Sequence, residues 1–143
     1  MSIQTLSKNE RLKSYKRIRI LFAEGEKFRV SPLLVYYRVE SKVEGVEVVE
    51  GVEDQMPKSN LQMGVSVSSR YFKRAVDRNL LKRRIREAYR KQKSTFKQLL
   101  EEKEMMVDVF FVYIEADIID YEKIYQSMTI ALKTLTQKLI PNS

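Results

Sequence analysis

Residues 73–90 read KRAVDRNLLKRRIREAYR. Eight of these eighteen positions are Lys or Arg, opposed only by Asp77 and Glu87. At about 100° per residue, Leu81, Ile85, Ala88 and, less centrally, Tyr89 share one face. Arg78, Lys82, Arg86 and Arg90 stand four apart and form a row beside that stripe, with Arg83 near its far end. The spacing predicts a helix that docks by its apolar stripe and keeps its charged row in water. Like charges one turn apart destabilise a helix by a few tenths of a kcal/mol per pair. Packing can carry that penalty, and a polyanionic partner would make it useful. A disordered basic tail would not need the apolar anchors, and a buried helix could not hold the charge.

Outward from this helix the pattern changes period. Just before it, residues 61–68 (LQMGVSVS) alternate, with Leu61, Met63, Val65 and Val67 on one side. Gln62, Gly64, Ser66 and Ser68 take the other side, which predicts a half-buried strand with a small, polar outer face. After it, a helical continuation through STFKQLLEEKE leads to residues 107–114 (VDVFFVYI), the most apolar strand candidate and hence the central one. Residues 120–139 carry Tyr121, Ile124, Tyr125, Met128, Ala131, Leu132, Leu135 and Leu139 at helical spacing. Toward the N-terminus, Leu12, Tyr15, Ile18, Leu21 and Phe22 predict a helix over 8–24, closed by Gly25. Residues 33–39 (LLVYYRV) predict a strand after Pro32, on which adjacent Tyr36 and Tyr37 face opposite ways.

The order is therefore helix, strand, strand, basic helix, strand, helix: an α+β arrangement of one small sheet with helices packed on it. Between the strand candidates, residues 42–58 form an acidic insert that repeats VEGVE at 43–47 and 49–53. Two such short copies make no repeat architecture. We expect one domain over 1–143 with this insert peripheral, because 143 residues suit a single core.

Composition removes whole classes of chemistry. Cysteine and histidine are both absent, so disulfides, thiolate metal sites, His-bearing zinc sites and Ser–His or Cys–His nucleophiles are impossible. Carboxylate, Lys or Tyr catalysis stays open, yet a self-sufficient enzyme becomes the weaker expectation. No apolar run approaches the roughly 18 residues of a membrane span, and the N-terminus lacks a secretory apolar stretch. A cytoplasmic location is expected.

Net charge is +8, but residues 70–93 alone hold eleven bases against two acids, or +9, leaving −1 for the rest. Excess charge gathered in one window marks a surface that faces a polyanion. Arginine outnumbers lysine there, and its planar fork suits paired hydrogen bonds to phosphate oxygens. On composition, such a helix serves DNA, RNA, an acidic protein or calmodulin-like capture.

Residue order narrows the choice. Gly64-Val-Ser-Val-Ser, followed by Ala75-Val, Arg78-Asn79, Leu81-Lys82-Arg83 and Ile85-Arg86-Glu87-Ala88-Tyr89, resembles the signature of the bacterial ribonuclease P protein subunit. The opening Leu6-Ser-Lys-Asn-Glu-Arg11-Leu12, then Leu21-Phe22 and Gly25, matches that family's first helix, and Leu33-Leu-Val-Tyr36 fits its strand. The resemblance implies a small, mostly antiparallel sheet in the order αβββαβα, the fold of the second domain of ribosomal protein S5. It implies a non-catalytic subunit whose partner, a catalytic RNA subunit with bound Mg²⁺, removes the 5′ leader from precursor tRNA. No membrane and no DNA partner is expected.

Carried over position by position, the family's RNA contact falls on Arg78, Asn79, Lys82, Arg83 and Arg86. Arg70, Lys73, Arg74 and Arg90 extend the same basic window. Phe22 and Tyr36 match aromatic positions of the leader cleft, and Ser66 and Ser68 belong to the adjoining polar strand face. Two departures stand out: Leu80 replaces an expected Arg, with Arg83 or Arg84 as substitutes, and Ile18 stands where an aromatic is common. Arg84 and Lys91 lie off the row and are expected in solvent, with Glu87 pairing to Arg83 or Lys91. The rivals are a ribosomal protein and a self-sufficient carboxylate–Mg²⁺ nuclease, the latter lacking any paired acidic motif.

Overall fold

An apolar strand flanked by a two-faced strand and a one-faced helix has few ways to bury its surface, and the chain adopts a layered one. The computed structural model describes residues 10–40 and 60–141. Along them run helix α1 (Tyr15–Glu24), strands β1 (Glu26–Val30), β2 (Leu33–Glu40) and β3 (Leu61–Val67), helix α2 (Ala75–Glu102), strand β4 (Met106–Tyr113) and helix α3 (Tyr121–Leu139). The acidic insert expected at 42–58 lies outside the described residues.

The strands form one sheet in the order β1-β2-β4-β3. β1 and β2, and β2 and β4, pair antiparallel, while β3 and β4 pair parallel. A parallel pair needs a long crossover, and α2 supplies it. β4 lies inside the sheet, as its mostly apolar sequence predicts, and is buried on both faces. Val107, Val109, Phe111 and Tyr113 point into the larger core, together with Leu33, Val35, Tyr37, Leu61, Met63 and Val67. Against that face α2 lays Leu81, Ile85, Ala88, Tyr89, Phe96 and Leu100, and α3 lays Ile124, Met128, Ala131, Leu132 and Leu135. The intervening residue Phe110 faces the other way. There it forms a second, smaller cluster with Leu12 and Leu21, flanked by Ile18, Tyr36 and Val112. α1 thus covers one face of the sheet and α2 with α3 cover the other.

Three details depart from the sequence pattern, each for a local reason. The order αβββαβα contains a strand, β1, that the apolar pattern missed, because EKFRV is short and mostly exposed on a sheet edge. Helix α1 starts at Tyr15, not near residue 8. Ser14 caps it by accepting from the Arg17 amide at 3.3 Å, and Leu12 is extended, its amide donating to the Met63 carbonyl at 2.8 Å. The outer face of β3 is not wholly solvent: Gln62 is buried beneath α1, and Gly64 lies under the Phe110 ring. A Cβ at Gly64 would stand 2.5 Å from that ring, so only glycine admits it there. The expected helical continuation holds: α2 is one unbroken helix of 28 residues.

Ile85 is fully buried at the middle of the α2 seam. Ile85→Ala should lower unfolding stability by about 2–5 kcal/mol, read as a reduced urea midpoint with an unchanged m-value.

Candidate nucleic-acid interface

The apolar seam fixes which way every cation of α2 points. Residues 82, 83 and 86 form the open centre: among the described residues, Lys82, Arg83 and Arg86 have no carboxylate within ion-pair distance. Arg86 is half-buried, and its pKa is held below the ordinary guanidinium value, first by burial and then by the like charge of Arg11. That proximity joins two cations far apart in the chain. Residues 10–12 run beside the free edge of β3, with Arg11 bridging to Met63 in parallel register. Arg11 was not singled out as a site residue from the sequence. Its signal lies in the opening motif, where the helical spacing gives way at Arg11 and Leu12 to pairing with the β3 edge.

The C-terminal end of the row is closed by the protein's own groups. Arg90 donates from Nε and Nη2 to the Glu87 carboxylate at 3.0 and 2.5 Å, and Lys91 lies 3.9 Å from the same group. The hydrogen bond from Arg90 holds the Glu87 pKa low and raises that of Arg90 in return. Arg83 is not its partner. Further along α2, buried Lys93 pairs with buried Glu10, and Lys97 reaches the same carboxylate at 3.6 Å. Arg84 is not simply solvated either, since its Nη1 donates to the Ile119 carbonyl at 2.7 Å, tying α2 to the segment before α3. Arg83, by contrast, is exposed and has no ion pair among the described residues.

The loop entering α2 extends the open surface. Arg70, Lys73, Arg74 and Asn79 are exposed, and among the described residues none of the three cations forms an ion pair. Arg78 has a structural duty: its Nη1 donates to the Phe72 carbonyl at 2.6 Å and holds the loop against the helix.

Across the sheet, Phe22 is 43 % exposed and meets Tyr36 edge-on at 4.7 Å and Phe110 at 5.0 Å. Tyr36 and Tyr37 do face opposite ways, Tyr37 into the larger core and Tyr36 toward α1 with the Lys27 ammonium 5.8 Å above its ring. Arg17 pins this side, donating to Asp108 and, at 2.6 Å, to Gln62. Ser66 shares that sheet face and is half-buried. Ser68 lies beyond the strand, where its Oγ accepts from the Arg70 amide at 3.0 Å. Ile18 takes its place in the small apolar cluster beneath α1. Among the described residues no three acidic groups come together as a metal cage.

Fold and surface define a class: a small α+β protein whose crossover helix carries an open cationic face, with an aromatic shelf on the sheet's other side. The sequence model of the Ribonuclease P family matches residues 6–136. The ribonuclease P protein component of Porphyromonas gingivalis strain W83 is 35 % identical over 123 residues, covering 86 % of this chain and 80 % of that protein. That of a Picosynechococcus species is 31 % identical over 85 residues, covering 59 % and 60 %. In fold, the chain is similar to the Staphylococcus aureus RNase P protein, with TM-score 0.63 and 20 % identity over 88 % of this chain and 94 % of that one. The Thermotoga maritima RNase P protein gives TM-score 0.61 at 20 % identity, covering 87 % and 96 %. This chain belongs to the ribonuclease P protein family, as a protein component of that enzyme.

Glu10 is the tie between the N-terminal strap and α2. Glu10→Ala should cost about 3–5 kcal/mol, because it leaves Lys93 charged and buried without its carboxylate. Adding Lys93→Met should recover most of that loss in the same urea titration.

Proposed function

We propose that the chain binds the catalytic RNA subunit of ribonuclease P through α2 and the loop before it. The contact residues are Arg70, Lys73, Arg74, Arg78, Asn79, Lys82, Arg83 and Arg86, with Arg90 at the margin. The single observation that carries this is the open centre of the row: among the described residues, Lys82, Arg83 and Arg86 are held on a rigid helix without a carboxylate partner. Cations so placed exchange condensed counterions for phosphates, giving affinity that falls steeply with salt. Their fixed spacing suits the shape of a folded RNA better than a flexible tail would.

The aromatic shelf of Phe22 and Tyr36, with Ser66 beside it and Ser68 at the strand's end, holds the single-stranded 5′ leader of precursor tRNA. Base stacking on aromatic rings tolerates any sequence, which a subunit serving many precursors requires. Hydrolysis belongs to the RNA with its Mg²⁺, and this chain supplies binding and orientation. One domain does this, in the cytoplasm, with no role for DNA. No described helix is long and apolar enough to cross a membrane. The family match displaces the ribosomal-protein alternative.

Reconstitution tests the proposal. The purified chain alone should leave precursor tRNA intact, and with the catalytic RNA it should restore 5′ cleavage at low Mg²⁺; failure to do so would remove the assignment. Arg86→Ala and Lys82→Ala should each flatten the slope of log affinity against log salt by about 0.7–0.9. Arg90→Ala should change it less, since Glu87 already neutralises that side chain. Phe22→Ala should weaken leader-bearing precursor by about 1–3 kcal/mol and mature tRNA little; equal losses on both would return Phe22 to the apolar cluster.

A further inference from the structure

Tyr71 has no place in the core and none in the sites described above. Its ring is 56 % exposed, in the loop between β3 and α2. Other exposed aromatics have company within the fold. Tyr15 is 75 % exposed but has the Arg19 guanidinium 5.8 Å above its ring, and Phe22 rests on two neighbouring rings. Among the described residues Tyr71 makes no ring contact, cation contact or hydrogen bond.

The loop that presents it is fastened on every side. Before it, the Ser68 hydroxyl accepts from the Arg70 amide, and the Ser68 carbonyl accepts from the Phe72 amide at 3.2 Å. After it, Phe72 is buried, its ring 5.8 Å from that of Tyr113, and its carbonyl takes the Arg78 guanidinium. Alternation across Phe72 leaves Tyr71 pointing outward from an anchored backbone. Its sequence neighbours are Arg70, Lys73 and Arg74, all exposed and without ion pairs among the described residues. An apolar protein partner would have to bury those unneutralised charges. A nucleotide suits both halves: its phosphates meet the cations, and its base meets the ring.

We propose that Tyr71 is a stacking platform for one unpaired nucleobase of an RNA, whose flanking phosphates lie on Arg70, Lys73 and Arg74. This rests on the RNA-binding face proposed above and adds a base contact to a surface that otherwise holds only phosphate contacts. The base belongs either to the catalytic RNA or to precursor tRNA, since both offer the same chemistry.

The test uses the full chain with catalytic RNA and precursor tRNA, titrated separately and together. Tyr71→Leu keeps an apolar side chain but removes the π face. It should lower affinity for one of the two RNAs at least fivefold while leaving the salt slope unchanged, and Tyr71→Phe should stay within twofold of the original. The RNA that loses affinity identifies the source of the base. A photo-crosslinking phenylalanine analogue at position 71 should label that same RNA. Original affinity in Tyr71→Leu, equal losses in Leu and Phe, or absence of an RNA crosslink would each overturn the proposal. Arg86→Ala measured in parallel separates the two levels. If it flattens the salt slope while Tyr71→Leu is silent, the stacking site fails alone; if neither responds, the RNA face itself is wrong.

Discussion

The docking of one helix on one sheet governs everything else in this molecule. Leu81, Ile85, Ala88, Tyr89, Phe96 and Leu100 recur along α2 and are buried against the inner residues of β3 and β4. Burying such side chains is worth about 1.5–3 kcal/mol each. A repulsion of a few tenths of a kcal/mol between cations one turn apart cannot compete with that. The helix therefore holds its charges in a fixed array, which no isolated basic peptide would do.

Only part of that array is left open. Glu87 is spent on Arg90 and Lys91, and Glu10, brought in from the N-terminal strap, closes off Lys93 and Lys97. The open stretch is thus bounded by internal ion pairs at its C-terminal side, and Arg11 enlarges it from the sheet edge. Internal carboxylates decide where the proposed RNA face stops as much as the arginines decide where it lies. The strap acts on two levels, since it covers an otherwise bare strand edge and contributes a charge to the surface beside it.

On the other side of the sheet a buried ion pair has a comparable role. Arg17 reaches from α1 to Asp108 on β4 and Gln62 on β3, all three largely withdrawn from water. Such a pair adds little net stability relative to an apolar substitute, but it fixes geometry. Here it fixes how α1 crosses the sheet, and with it the edge-on meeting of Phe22 and Tyr36. The two proposed RNA-facing surfaces thus have different foundations, an apolar seam for the cations and a polar clamp for the aromatics.

The sequence by itself determined the elements whose pattern is strong. The basic helix, the central strand at 107–114, the alternating strand at 61–68 and the last helix all follow from periodicity, because burial on one face or two leaves its period in the chain. The localised positive charge and the family signature were equally legible. Tertiary structure alone decided the rest. β1 has too little buried surface to print a pattern, and the strap at residues 10–12 shares its apolar residue with a helix-like spacing that the β3 edge overrides. Which cations stay open was hidden for a sharper reason. An ion pair such as Glu10 with Lys93 joins residues 83 positions apart, and local sequence carries no trace of a partner that only folding brings near.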